Sequence, residues 1–184
     1  PSTSADSSGV FELPNDPQDI ISFGGSDNAS GVDLTNLSLS HKASSNTSRV
    51  VSALTSLDYA NTGSTDISTL LNLDSSIDIY SDDPVAGIGS SSDTNKYYEA
   101  NAQIFVLAYS LQAFLNEINS SSVNTKTLFE SLYASIQESF DSGNTNLSEF
   151  IETIDFIDAY IDSVLTSPAS SDLKSIVKLS LIHI

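Results

Sequence analysis

The chain contains no cysteine, no methionine and no tryptophan. Without cysteine there is no disulfide framework, no thiolate nucleophile and no Cys-based zinc site. The missing methionine includes the start residue, so the sequence reads as a piece of a longer protein. No signal peptide opens it, and no apolar run approaches the length of a membrane span, so no membrane insertion is expected. Base is scarce too. Six Lys and Arg stand against 24 Asp and Glu, a formal net charge of −18. A field of that sign repels phosphate backbones and anionic lipid, which argues against nucleic acid or a membrane surface as partner.

What is present is enough for a core. Apolar residues make up 39% of the 184 positions and are clustered, as in Ile104 to Leu115. The pattern changes near residue 50. Before it, Val10–Leu13, Ile20–Phe23 and the piece carrying Val32, Leu34, Leu37 and Leu39 read as three short strands between Gly, Asn, Asp and Pro turns. The third has a register break between Leu34 and Leu37. Three such strands bury little by themselves and are expected to close a larger sheet.

Beyond residue 50 the period is helical. Val50, Val51, Leu54 and Leu57 open a short helix that stops before Gly63, and Asp66 caps a second through Leu70, Leu71 and Leu73. Ile77–Tyr80 reads as an extended connector. Asp83-Pro84 pairs an N-cap with proline at the first helical position, predicting a single turn through Ile88. A long helix from about Thr94 to Asn119 carries Tyr97, Ala100, Ile104, Leu107, Leu111, Leu115 and Ile118 on one face. Phe105, Val106, Tyr109 and Phe114 on its other faces place it at the centre of a bundle. A second, Thr125 to Phe140, has Leu128, Leu132, Ile136 and Phe140 four apart, with Gly143 just past its end. A third begins at Asn146 with Glu149 as capping partner and turns Phe150, Ile151, Ile154, Ile157, Ile161 and Val164 inward. Ser170 caps a last one containing Leu173, Ile176 and Val177.

The segment Ser7 to Gly25, with Ser-Ser-Gly-Val-Phe-Glu-Leu-Pro and then Ile-Ile-Ser-Phe-Gly-Gly, resembles the closing strands of a carboxypeptidase-regulatory-like or Cna-B-like β-sandwich. The runs Val50–Leu57, Leu73–Ile79, Asp82–Ala86 and Ala100–Ile104 resemble the helical segment that follows such a module in large bacterial surface proteins, with Ala53 where that family has proline. The resemblance implies a secreted or envelope-anchored multidomain protein of adhesin or cadherin-repeat type, and supplies no catalytic residue. The closing hexapeptide, Leu179 to Ile184, resembles a translated sequencing-adapter end and is set apart from the fold.

Candidate chemistry is sparse. Asp74, Asp78 and Asp82, with Asp83 beside them, could lend oxygen ligands to calcium. They lack the spacing and glycine of an EF-hand loop, and Asp serves equally as turn and cap residue. Asp27 and Asp33 make a lesser case. Glu152, Asp155, Asp158 and Asp162 recur every three or four residues, as the wet face of a helix does. His41 stands in a polar strand or loop before Lys42, with no nucleophile motif near it, and no carboxylate pair stands out for glycoside cleavage. Seven tyrosines lie mostly on helical apolar faces, where core packing outweighs sugar stacking.

The expected fold is mainly α: a short β element over 1–49, the remnant of a truncated sandwich, then a helical bundle over 50–178 and a non-native tail over 179–184. The expected function is that of a non-catalytic structural or adhesion module of an extracellular bacterial protein, with calcium as the one cofactor to consider. Its partners would be other domains of the same chain, or a surface polysaccharide or protein. The alternatives are an accessory domain of a secreted polysaccharide-degrading enzyme and a periplasmic or outer-membrane lipoprotein binding domain.

Overall fold

The computed structural model describes residues 2–13, 18–26, 33–43, 49–61, 63, 65–117, 124–144, 159, 162 and 164. Within them the chain is mainly helical, with a two-stranded antiparallel sheet at its N-terminal end, as the change of period near residue 50 predicts. The elements run β1 (Ile20–Phe23), β2 (Ser38–His41), α1 (Ala53–Tyr59), α2 (Ile67–Leu70), α3 (Ser92–Glu117) and α4 (Thr125–Asp141).

Two strands form where three were expected. Val10–Leu13 is not a strand. The Asp6 carboxylate accepts from the amides of Ser8 and Val10, closing a local turn and leaving Val10 exposed. An Asx turn of this kind satisfies the backbone without a ladder. The third piece makes an isolated antiparallel bridge at Asp33 to Ser26, and its continuous pairing starts at Ser38, because its register break is a turn in which the Leu37 amide donates to the Leu34 carbonyl. β1 and β2 then pair Ile20 with His41, Ile21 with Ser40, Ser22 with Leu39 and Phe23 with Ser38.

The far edge of β2 is closed by helix side chains. The Ser40 amide donates to Ser56 Oγ of α1 at 2.8 Å, and the Ser38 amide to Thr125 Oγ1 of α4 at 3.3 Å. Hydroxyls thus stand where a third strand would otherwise be needed, which removes the sheet's usual open edge on that side. Leu37 joins the same core as the helices, and Leu39 packs against it.

α1 is the hub. It touches β2, α2, α3 and α4, and every residue from Ala53 to Asp58 is buried. A seven-residue helix is marginal by its own propensity, so its start is fixed by a reciprocal cap: Ser52 Oγ accepts from the Thr55 amide and Thr55 Oγ1 from the Ser52 amide. Leu54 and Leu57 are wholly buried, each contributing about 1.5–3 kcal/mol by removal from water. The central position expected of the longest helix therefore belongs to α1. On α3 the expected stripe of Tyr97, Ala100, Ile104, Leu107, Leu111 and Leu115 is buried, while Phe105, Val106, Tyr109 and Phe114 are partly buried, Phe105, Tyr109 and Phe114 packing against the core. Phe105 and Tyr109 stack on each other at 5.9 Å.

α2 is capped by Asp66, which accepts from the Thr69 amide at 2.9 Å. α4 starts at Asn124, which accepts from the Thr127 amide, and buries Leu128, Phe129, Leu132, Tyr133 and Ile136. It ends in a Schellman arrangement: the Gly143 amide donates to the Phe140 carbonyl and the Asn144 amide to Ser139. Gly143 has φ +95°, a left-handed value open to glycine at little cost. The connector 77–80 is not extended but turned, with the Ser81 and Asp82 amides both donating to the Asp78 carbonyl. The segment after Pro84 is likewise a run of turns rather than a helical turn, closed by the Ile88 amide on Val85 and the Ser90 amide on Gly87.

Of the third long helix only Ala159, Asp162 and Val164 are described. All three are helical; Val164 is buried in the common core, while Ala159 and Asp162 face outward. The rest of that helix, the last helix from Ser170 and the tail 179–184 lie outside the described residues.

Candidate functional site

The expected calcium ligands are all present in one turn-rich segment, each committed to the backbone around it. Asp74 Oδ1 accepts from the Ser76 amide at 2.8 Å. Asp78 Oδ1 accepts from the Tyr80 amide and its Oδ2 from the Ser81 hydroxyl, at 3.0 and 2.7 Å. Asp82 Oδ2 accepts from the Asp78 amide at 2.8 Å, so these two are brought together. Asp83 Oδ1 accepts from the Val85 amide. Such Asx contacts shape a loop without an ion, and among the described residues no group of three metal-ligating side chains is arranged to hold one.

Electrostatics agrees with that use. The Ser76 contacts hold the Asp74 carboxyl below its ordinary value, and the Thr69 hydroxyl followed by the Thr69 amide does the same for Asp66. Asp33 is lowered by the Thr35 hydroxyl and then the Thr35 amide. Asp27 lies outside the described residues, as do Glu152, Asp155 and Asp158.

A second polar cluster, spread over three segments, gave no local sign in the sequence. His41 of β2 is wholly buried, donating from Nδ1 to the Val50 carbonyl at 2.7 Å and meeting the Tyr80 ring edge-on at 5.7 Å. A carbonyl only accepts, so Nδ1 carries a proton. Nε2 has no hydrogen-bond partner. Asp58 of α1 is buried, and Lys42 Nζ lies 3.0 Å from its Oδ2 without the alignment of a hydrogen bond. Burial first, then the Asp58 charge, pushes the Tyr80 phenol well above its ordinary value. Sixteen residues separate Lys42 from Asp58, a distance no spacing rule reads.

The chemistry of this cluster is limited. A catalytic triad needs a nucleophile against the imidazole and a carboxylate behind it. Here Nδ1 is occupied by a main-chain carbonyl. The nearby hydroxyl, Ser56 Oγ, donates to the Ser52 carbonyl at 2.7 Å while receiving the Ser40 amide. His41 was expected in a polar strand or loop; it is in a strand, as one of the most buried residues of the sheet.

The tyrosines divide. Tyr97 is buried and donates to the Asp82 carbonyl at 2.9 Å, its phenol raised by burial and then by Asp82 and Asp83. Tyr133 is buried against Gly63, where an added Cβ would lie 2.5 Å from the phenol oxygen and would have to displace it. Tyr98 is exposed, Tyr109 donates to the Asp33 carbonyl, and Tyr160 is outside the described residues. Beside Tyr133 lies an open depression lined by Gly63, Ala134, Gln137, Glu138, Asp141 and Ser142. No row of aromatic faces lines it.

Among the described residues no helix is long and apolar enough to cross a membrane. No family model, curated protein sequence or solved structure matches the chain.

Proposed function

We propose that the chain is a non-catalytic structural or adhesion module of a larger extracellular bacterial protein, joined to other domains of that protein and presenting an acidic surface. One observation carries the reading. Among the buried polar side chains, Ser52, Thr55 and Ser56 direct their hydrogen bonds to main-chain groups or to one another in a cap, and His41 Nδ1 bonds the Val50 carbonyl. Groups committed in this way hold a shape, whereas a reaction centre aims them at a space a substrate can enter.

The net charge of −18 adds to the reading, since such a surface stays soluble and repels its own kind. The carboxylates of Asp74, Asp78 and Asp82 serve the turns they sit in, so the reading does not depend on calcium. The decisive experiment is to sequence the gene around this segment and fractionate the producing cells. A secretion signal, tandem β-repeats and recovery at the cell surface or in the medium are expected. An in-frame catalytic domain, or a cytoplasmic location, would refute the reading.

A further inference from the structure

Among the described residues the sheet has one closed edge and one open edge. On β2 the amides of Ser38 and Ser40 turn away from β1 to Thr125 and Ser56. In an antiparallel ladder, opposite residues either exchange both of their hydrogen bonds or direct all of them outward. Ile21 faces Ser40 and Phe23 faces Ser38, so the backbone groups of Ile21 and Phe23 point away from β2. Among the described residues nothing pairs with them. The same two residues carry the most exposed large side chains of the sheet, at 55% and 79% of their full accessibility. Being two apart on a strand, they share one face. Proteins usually blunt a free edge with charge, proline or a bulge, and Ile-Ile-Ser-Phe contains none of these.

We propose that the free edge of β1 accepts an extended basic segment of a partner polypeptide, which adds to the sheet as a third strand. Backbone pairing to Ile21 and Phe23 supplies register, and alternate apolar residues of the partner cover the two exposed side chains. Charge selects the occupant. The chain carries −18, and exposed Asp19 precedes the strand while exposed Asp33 bridges to Ser26 beyond it. Among the described residues, the basic groups closest to the two strands in sequence are engaged, Arg49 at the Gln18 carbonyl and Lys42 at Asp58. Lys or Arg at the partner's other alternate positions therefore meets an unopposed acidic field. A second copy of this chain is a poorer occupant, because it brings another −18 to an edge only four residues long.

The proposal names a partner class for the module described above and rests on that reading. The two fail separately: a neighbouring catalytic domain would refute the module without altering strand capture, and absent capture would leave the module intact. The test uses the 184-residue chain and an end-blocked synthetic peptide of alternating Val and Lys, followed by amide hydrogen exchange. Saturable binding at low salt is expected, with exchange at the Ile21 and Phe23 amides slowed at least about tenfold, equivalent to about 1.4 kcal/mol. Alternating Val and Glu should not bind, and Phe23→Ser should weaken the Val–Lys peptide about tenfold or more while leaving the melting temperature in place. Ile21→Pro, which removes an outward amide, should abolish it. Absence of binding, equal binding of a Gly–Lys peptide, or slowed exchange only away from β1 would overturn the proposal. Protection of the two amides by raised protein concentration alone would also overturn it, assigning the edge to a second copy.

Discussion

The Ser56 hydroxyl joins the hub helix to the sheet, and removing it gives a measurable and specific loss. In the folded chain Ser56 Oγ receives the Ser40 amide at 2.8 Å and donates to the Ser52 carbonyl at 2.7 Å. After Ser56→Ala the Ser52 carbonyl keeps two other donors, the Ser56 amide and the Thr55 hydroxyl, both at 3.0 Å. The Ser40 amide keeps none. A buried donor left unpaired costs about 1–3 kcal/mol, and Ser40 is only partly buried, so the lower half applies. Alanine returns about 0.5 kcal/mol through its better helix propensity. The net expectation is a loss of about 1 kcal/mol, or a melting temperature lower by about 2–4 °C in a chain of this size. Thr125→Ala removes the longer contact to the Ser38 amide and should cost less than about 1 kcal/mol. Because both hydroxyls hold the same four-residue strand, the double variant should lose about 0.5 kcal/mol more than the sum. Urea titration followed by circular dichroism measures the energies, and amide exchange at Ser40 and Ser38 assigns them to the edge. Stability unchanged to within about 0.3 kcal/mol, with Ser40 exchange unchanged, would refute the reasoning.

Other outcomes follow from the electrostatics. Burial and neighbouring carboxylates raise the phenols of Tyr80, Tyr97 and Tyr133, so the folded state binds protons that the unfolded state releases above its ordinary value near 10. The stability this supplies is complete below that value and is lost as pH rises toward the folded one. With no tryptophan to interfere, near-ultraviolet phenolate absorbance should show at least three of the seven tyrosines titrating late and together with unfolding. Asp66 has the opposite sign: its folded value is lowered by Thr69, so its contribution is present above the ordinary carboxylate range and lost as pH falls through the folded value. Asp66→Asn keeps a capping oxygen but cannot titrate, and should flatten the acid limb of the stability curve. Millimolar calcium should raise the melting temperature no more than magnesium at equal ionic strength. A calcium-specific rise abolished by Asp78→Asn would establish a metal site after all.

Periodicity made the long helices legible. Leu128, Leu132 and Ile136 at intervals of four, with Gly143 beyond them, placed α4 to within a residue of its observed bounds. Asp66 as a cap was equally readable, because a cap and its recipient amide are three residues apart. What was not legible is what distant segments do to one another. The burial of α1 arises from four elements closing around it, and its Ser-Ala-Leu-Thr-Ser-Leu pattern looks like any short helix. Val10–Leu13 has strand composition but no partner strand among the described residues, since composition measures fitness for a pleated surface rather than the existence of one. The acids at 74, 78 and 82 were visible as a cluster, yet only geometry assigns each to its own turn. The His41–Asp58–Tyr80 cluster is joined across long separations and had no motif to find.

Native-state amide exchange across the whole chain, with and without Leu57→Ala, addresses the central claim that one core closes around α1. Leu57 is wholly buried, and its truncation should cost about 2–5 kcal/mol. The amides of α1, the core-facing turns of α3 and α4, and the paired residues of β2 are expected to open with one common free energy, falling by the same amount in the variant. If the protection of α3 and α4 survives Leu57→Ala while α1 and β2 alone are lost, the helices form a core of their own and α1 is not its centre.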